Sequence, residues 1–185
     1  MKSFLIFFSL FFLSCASTRY VSPREAEPSR EWGPTEVSAT VDLMVASAQS
    51  YFETSKERPF IELNKIQNKT SEHINTNMLA NEIATSLIKR KIVFVDRSQR
   101  ADAIKEMELS QRGMVSANSA IPTGEFVSPN FKLSGEITDN VRYVDGEKNQ
   151  YIVVTLRLLK LSTGSITWQE EKKFLKVSKN ATFGW

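Results

Sequence analysis

Between residues 37 and 51 apolar side chains recur at intervals of four, three, four and three: Val37, Val41, Met44, Ala48 and Tyr51. That spacing puts all five on one face of a helix, and it predicts an α-helix from Thr35 to about Phe52. Pro34 suits the first turn, where no backbone donor is needed. After Pro59 the period shortens. Phe60 to Ile66 reads as a strand with Ile61 and Leu63 on one side, and Asn68-Lys69-Thr70-Ser71 supplies a turn and a helix cap. A second helix, about Ile74 to Lys89, carries Ile74, Met78, Ile83 and Leu87, with Leu79 and Ala84 widening the stripe. Lys89-Arg90-Lys91 falls at its C-terminal end, where cations complement the helix dipole. Ile92-Val93-Phe94-Val95 is a continuous apolar run bounded by charge, which predicts a strand buried on both faces.

A third helix is expected from Arg100 to about Arg112, closed by Gly113. Residues 114–131 contain Pro122, Gly124 and Pro129, show little periodicity, and have room for one short helix. Three strands finish the chain, over 132–143, 151–161 and 166–177. Asp145-Gly146 and Thr163-Gly164 are turn signals between them, so they form an antiparallel meander. The pattern therefore predicts a single α+β domain. Its mixed sheet has four or five strands, ends in that three-stranded meander, and packs with three to four helices.

The two ends of the chain read differently. Residues 16–34, with Ser17, Thr18, Pro23, Glu25, Glu27 and Pro28 among them, have no apolar period that could bury a face, so this stretch is a tether. Twenty residues of flexible coil span about 25 Å on average. Ahead of it stand Lys2 and the apolar run from Phe4 to Leu13, an export signal. The run is too short to cross a bilayer, which takes about 20 residues. Cys15, the only cysteine, follows Ser14 at the place where a bacterial lipoprotein is cleaved and acylated. Acyl chains there would contribute about 0.8 kcal/mol per buried CH₂. The expected organisation is a signal peptide over 1–14, a lipidated Cys15 and tether over 15–34, the domain over 35–178, and a tail over 179–185. With one cysteine no disulfide can form within the chain, so stability rests on the apolar core.

Charge and chemistry mostly exclude. Twenty-four Lys and Arg against 21 Asp and Glu give +3 and a pI near 9.0. No run of four basic residues occurs, so nucleic acid is not an expected partner. His73, the only histidine, lies near a helix start as a solvated residue without the orienting carboxylate and nucleophile that catalysis requires. No paired metal-ligand spacing, nucleotide loop or Gly-x-Ser-x-Gly is present. Glu106 and Glu108, two apart on a helix, point in different directions. Asp96-Arg97 reads as a charge pair that caps the next helix and fixes its loop, and Asn68 and Thr70 as turn residues. The chain is read as a non-enzyme that needs no cofactor.

Four stretches then carry a resemblance: Asn68-Lys69-Thr70-Ser71-Glu72-His73-Ile74, Phe94-Val95-Asp96-Arg97, Glu106 to Gly113, and Tyr151 to Trp168. In order and spacing the chain resembles the LpoB-type lipoproteins over roughly residues 32 to 178. The resemblance implies an outer-membrane lipoprotein facing the periplasm that activates a penicillin-binding protein, the synthase that polymerises and cross-links peptidoglycan. Three departures stand out. The tether is much shorter than the long Pro-rich one of the best-known members. Ser128-Pro129 replaces a helix leading into Gly-Ala, so that helix must stop early or shift. The chain carries an aromatic tail, Phe183-Gly184-Trp185.

A partner-binding surface uses aromatic and Arg anchors. Arg112, Met114, Val115 and Phe126, in a stretch with too little periodicity to bury them all, are the candidates, together with Arg142 and Tyr143 at a hairpin read as nearby. Trp168 is expected in the core, with Tyr143 and Tyr151 at its rim. The first reading is thus a lipid-anchored, monomeric regulator of a bifunctional synthase. The second is an accessory subunit of a secretion, flagellar or curli-type envelope assembly, and a weaker third is a module that binds wall glycans.

Overall fold

The computed structural model describes residues 20–22, 25, 29 and 31–179; Cys15 and the Phe183-Gly184-Trp185 tail lie outside them. The four-three spacing produces helix α1 (Pro34–Thr54), with Val37, Val41, Met44, Val45 and Ala48 buried. Glu36 caps it, its Oε2 accepting from the Gly33 amide at 2.9 Å. Strand β1 (Phe60–Lys69) follows, then helix α2 (Thr76–Ile88). The α2 cap is Asn75, whose side chain accepts from the Met78 amide; the 68–71 turn lies further upstream. The buried stripe of α2 is Thr76, Leu79, Ala80, Ile83 and Leu87, and Met78 is left exposed.

Helix α2 ends in a Schellman turn. The Ile92 amide donates to the Leu87 carbonyl and the Lys91 amide to that of Ile88, while Leu87 and Ile92 are both buried. Lys91 sits at φ +65°, the left-handed position that glycine normally fills. Strand β2 (Val93–Phe94) is the main correction to the sequence reading. It pairs with β1 over two residues, forms the edge of the sheet, and is half-buried, not buried on both faces. A four-residue apolar run does not say whether two neighbours or one will cover it.

Helix α3 (Arg100–Gln111) stops at Gly113, at φ +72°. None of its residues is buried. One 3₁₀ turn (Ala117–Ser119) is the short helix for which the sequence had room, and no helix precedes Ser128-Pro129. Asn130 then ties the chain back to the body. Its Oδ1 accepts from the Phe60 amide at 2.8 Å, and its carbonyl accepts from Leu161 at 2.9 Å.

Strands β3 (Phe131–Val144), β4 (Glu147–Lys160) and β5 (Ser165–Lys179) form the expected meander. Asp145 (φ +51°) and Gly146 (φ +78°) make the two-residue turn between the first two. The sheet order is β2-β1-β3-β4-β5, with β1 parallel to β2 and β3. Helices α1 and α2 cover one face, and the core lies between: Phe131, Leu133 and Ile137 from β3 meet Ile152, Val154, Leu156 and Leu158 from β4. Trp168 packs on that core and its Nε1 donates to Ser47 Oγ of α1 at 3.1 Å.

Gly135, in β3, has no room for a side chain. A Cβ there would stand 2.4 Å from Leu156 Cδ2 and 2.5 Å from the Thr155 carbonyl oxygen. Because one of those atoms is backbone, Gly135→Ala should cost about 3 kcal/mol, the upper end for overpacking, read as a lower urea midpoint. Lys91→Gly should act the other way, raising stability by about 1 kcal/mol through relief of the left-handed lysine, and the same titration measures it.

Candidate partner-docking surfaces

The proposed anchors lie at opposite ends of the sheet. Phe126 precedes β3, whereas Arg142 and Tyr143 lie near its far end, and the eleven residue steps from Phe131 to Arg142 span about 36 Å. The hairpin is therefore not near the 112–131 stretch. Two surfaces result.

At the first, α3 and the loop after it stand off the core. Arg100 holds them together. Its Nη2 donates to the Val127 carbonyl at 2.8 Å, and its guanidinium lies 5.6 Å from the centre of the Phe126 ring. Gln111 Nε2 donates to the Ile121 carbonyl at 3.0 Å. Arg112 is exposed and reaches Glu108 at 3.8 Å. Met114 is 68% and Phe126 42% exposed, while Val115 is half-buried. Beside them open two adjoining grooves of 570 and 250 Å³ that share Phe94, Val95 and Asp96. Leu63, Ala84 and Ile88 extend the first floor, and Phe126 and Val127 the second. Half-buried edge strand β2 thus lies between an apolar floor and a charged rim, the composition of a protein interface.

Asp96 and Arg97 do not pair with each other. Asp96 Oδ1 accepts from the Ser98 amide at 2.8 Å and hydroxyl at 2.6 Å, and those two bonds hold its carboxyl below the usual range. Arg97 reaches Glu62 on β1 at 3.4 Å. Asp96 fixes the loop, as the sequence implied, but the residue at the α3 cap is Gln99.

The second surface is the sheet face that no helix covers. In the register of the meander, Asn140, Tyr151 and Leu175 form one outward row, and Arg142, Asn149 and Val177 the next. Tyr151, Leu175 and Val177 are 43%, 67% and 55% exposed. Tyr143, at the strand end, is 70% exposed. Sequence reading placed Tyr151 at the rim but missed Leu175 and Val177, whose alternation with Lys176 marks a half-exposed strand. Further along this face Glu136 accepts from Lys69 Nζ at 2.5 Å and Arg157 Nη2 at 2.6 Å. Those bonds hold its carboxyl below the usual value.

A polar clamp links this end to the start of the domain. Asp139 accepts from Ser71 Oγ at 2.6 Å and Gln150 Nε2 at 2.8 Å. Burial alone would raise its carboxyl, but the Ser71 and Gln150 bonds and the Lys148 charge outweigh that and hold it low. Asn68 Oδ1 accepts from the Thr70 amide and hydroxyl, which shapes the turn. Glu72 Oε2 accepts from the Trp32 amide at 2.8 Å, and Glu72 Oε1 lies 3.6 Å from Lys148 Nζ. The Trp32 ring meets Phe174 edge-on at 5.7 Å. Residues 31–33, inside the span read as tether, are thus bound to the domain. His73 is exposed. Among the described residues no group of three His, Cys, Asp or Glu could hold a metal ion, and no helix is long and apolar enough to cross a membrane.

The family model described as peptidoglycan-synthase activator LpoB matches residues 36–174. Among solved structures, the LpoB C-terminal domain from Salmonella enterica is 14% identical, with a TM-score of 0.43, covering 75% of this chain and 94% of its own. That from Escherichia coli is 14% identical, with a TM-score of 0.44 and coverages of 72% and 94%. Lipoprotein GNA1162 from Neisseria meningitidis is 16% identical, with a TM-score of 0.38 and coverages of 68% and 88%. No curated protein matches the chain in sequence.

Acid should weaken the polar clamp. Asp139 titrates below its ordinary value of 3.8, so its stabilisation is complete above that value and is lost as pH falls through the lower folded one. The urea midpoint should stay level from neutrality to about pH 5 and fall below about pH 4. Asp139→Asn should flatten the fall; an unchanged slope would remove Asp139 from the account.

Proposed function

The chain belongs to the LpoB family of peptidoglycan-synthase activators, and from that premise we propose that it is a non-enzymatic envelope lipoprotein that binds a penicillin-binding protein and stimulates it. The observation that carries this reading is the family match over residues 36–174, which runs from the first turn of α1 to Phe174 in β5. Cys15 is the acylated anchor, on the outer membrane and facing the periplasm. The surface of β2, Phe126 and Arg100 is the docking site, with Arg112, Met114 and Val115 beside it. Its apolar floor and charged rim support that choice, as does the fact that no residue of α3 is fully buried within the fold. An activator that does no chemistry acts through differential affinity: it binds the active conformation of the synthase more tightly than the resting one. Burying Phe94, Val95 and Phe126 against the active form supplies that difference.

The test uses the full chain and the purified bifunctional penicillin-binding proteins of the same cell, with glycan polymerisation and cross-linking rates as readout. Saturable stimulation with one-to-one binding is expected. Phe126→Ser should weaken the apparent affinity at least about 10-fold, since an anchor residue carries more than about 1.4 kcal/mol. Its unfolding midpoint should not move, because Phe126 lies outside the core. Stimulation of no synthase would refute the proposal, and an unaltered affinity in Phe126→Ser would move the docking site elsewhere.

A further inference from the structure

The start of the domain is fixed at one end of the sheet. Lys176, near the end of β5, donates to the Glu31 carbonyl and lies 3.3 Å from the Glu36 carboxylate. Both of those side chains are almost wholly buried, at 12% and 7% exposure. Together with the Trp32 contacts to Glu72 and Phe174, they make the leader leave the domain beside residues 174–178, at a set point. On the opposite face of the same edge strand lies the uncovered patch of Tyr151, Leu175 and Val177, extended by Val144 at the hairpin, which is 50% exposed.

We propose that this patch is a membrane-contact surface: in the anchored protein it rests against the phospholipid headgroup layer, so that the Phe126 end points away from the membrane. The inference rests on the lipid-anchor reading of Cys15. Seventeen residue steps separate Cys15 from Trp32, and a coil of that length spans about 23 Å on average. Held at so short a distance, the patch meets the bilayer at an effective concentration on the order of millimolar, enough to populate a contact too weak to form from solution. The composition fits such a surface. Tyr151 brings an amphipathic ring, Leu175 and Val177 are aliphatic, and Arg142, Lys173 and Lys179 border them on the same face. Of the nearby carboxylates, Glu171 lies 3.3 Å from Lys173 and Glu147 3.6 Å from Lys179, and Asp145 stands in the hairpin turn beside Val144. Arg142, Lys173 and Lys179 are the groups that can meet anionic headgroups.

The experiment uses the full chain purified from its host membranes, with benzoylphenylalanine replacing either Leu175 or Met114. The protein is placed in vesicles of three parts phosphatidylethanolamine to one part phosphatidylglycerol and irradiated, and phospholipid adducts are measured by mass. At least fivefold more adduct from position 175 than from 114 is expected, and Val177→Glu should bring the two within twofold. Equal yields, or more from 114, would overturn the proposal. So would irradiation in cells that joins position 175 to a protein in place of lipid. The mass of the N-terminal peptide tests the anchor separately. Should Cys15 carry no acyl chain, its thiol is coupled to a maleimide phospholipid in the same vesicles; the 175-to-114 ratio then decides whether the patch seats on lipid, whatever the fate of the anchor reading.

Discussion

The sheet depends on the middle of β3, where Gly135 lets β4 approach so closely that a single methyl group would collide with it. In the same row of the sheet Ile66 of β1 and Leu156 of β4 flank that glycine, and both are buried. Between Leu63 and Ile66 the β1–β3 register slips, immediately before the Ile66–Gly135 pair. A strand with one parallel and one antiparallel neighbour must satisfy both ladders at once. Gly135 does so by having no side chain to place.

Helices α1 and α2 then cover one face of this sheet, and that is all they cover. Their apolar stripes and the inward rows of β3 and β4 account for the core. Nothing within the fold is left to bury α3 or the outer rows of the meander. The outer face copes by pairing charges, with Glu136 between Lys69 and Arg157 at its centre. Exposed ion pairs of this kind contribute little to stability; their use here is to keep an uncovered sheet soluble. The apolar groups the face does expose are Tyr151, Leu175 and Val177 near the hairpin and Ile166 at the other end of β5.

Much of this was legible in the sequence where periodicity and burial agree. The α1 spacing, the Asp145-Gly146 turn, the Gly113 stop and the three-strand meander each follow from local chemistry. What failed was long-range. The hairpin was read as a neighbour of the 112–131 stretch because both lie close in sequence, but a fourteen-residue strand stands between them. The apolar run at 92–95 resembles a central strand, yet its residues floor grooves at the sheet edge. Trp32 was hidden within a polar leader, and its partners Glu72 and Phe174 lie 40 and 142 positions away. No local pattern encodes such a clamp, although a lone tryptophan just before a helix is a signal that it packs on something.

Separation of the two ends has a mechanical consequence. If anchoring and docking shared one surface, binding a synthase would compete with contact at the membrane, and part of the docking affinity would be lost in releasing that contact. With about 36 Å between Phe131 and Arg142 the two can be satisfied together. On the anchored reading proposed above, the short leader would keep the β5 end of the domain near the lipid, and the Lys176–Glu36 and Trp32–Phe174 contacts fix where the leader leaves the domain. A long leader would reach further but would not orient the domain. Under that proposal, orientation would replace reach as the way the docking surface is presented.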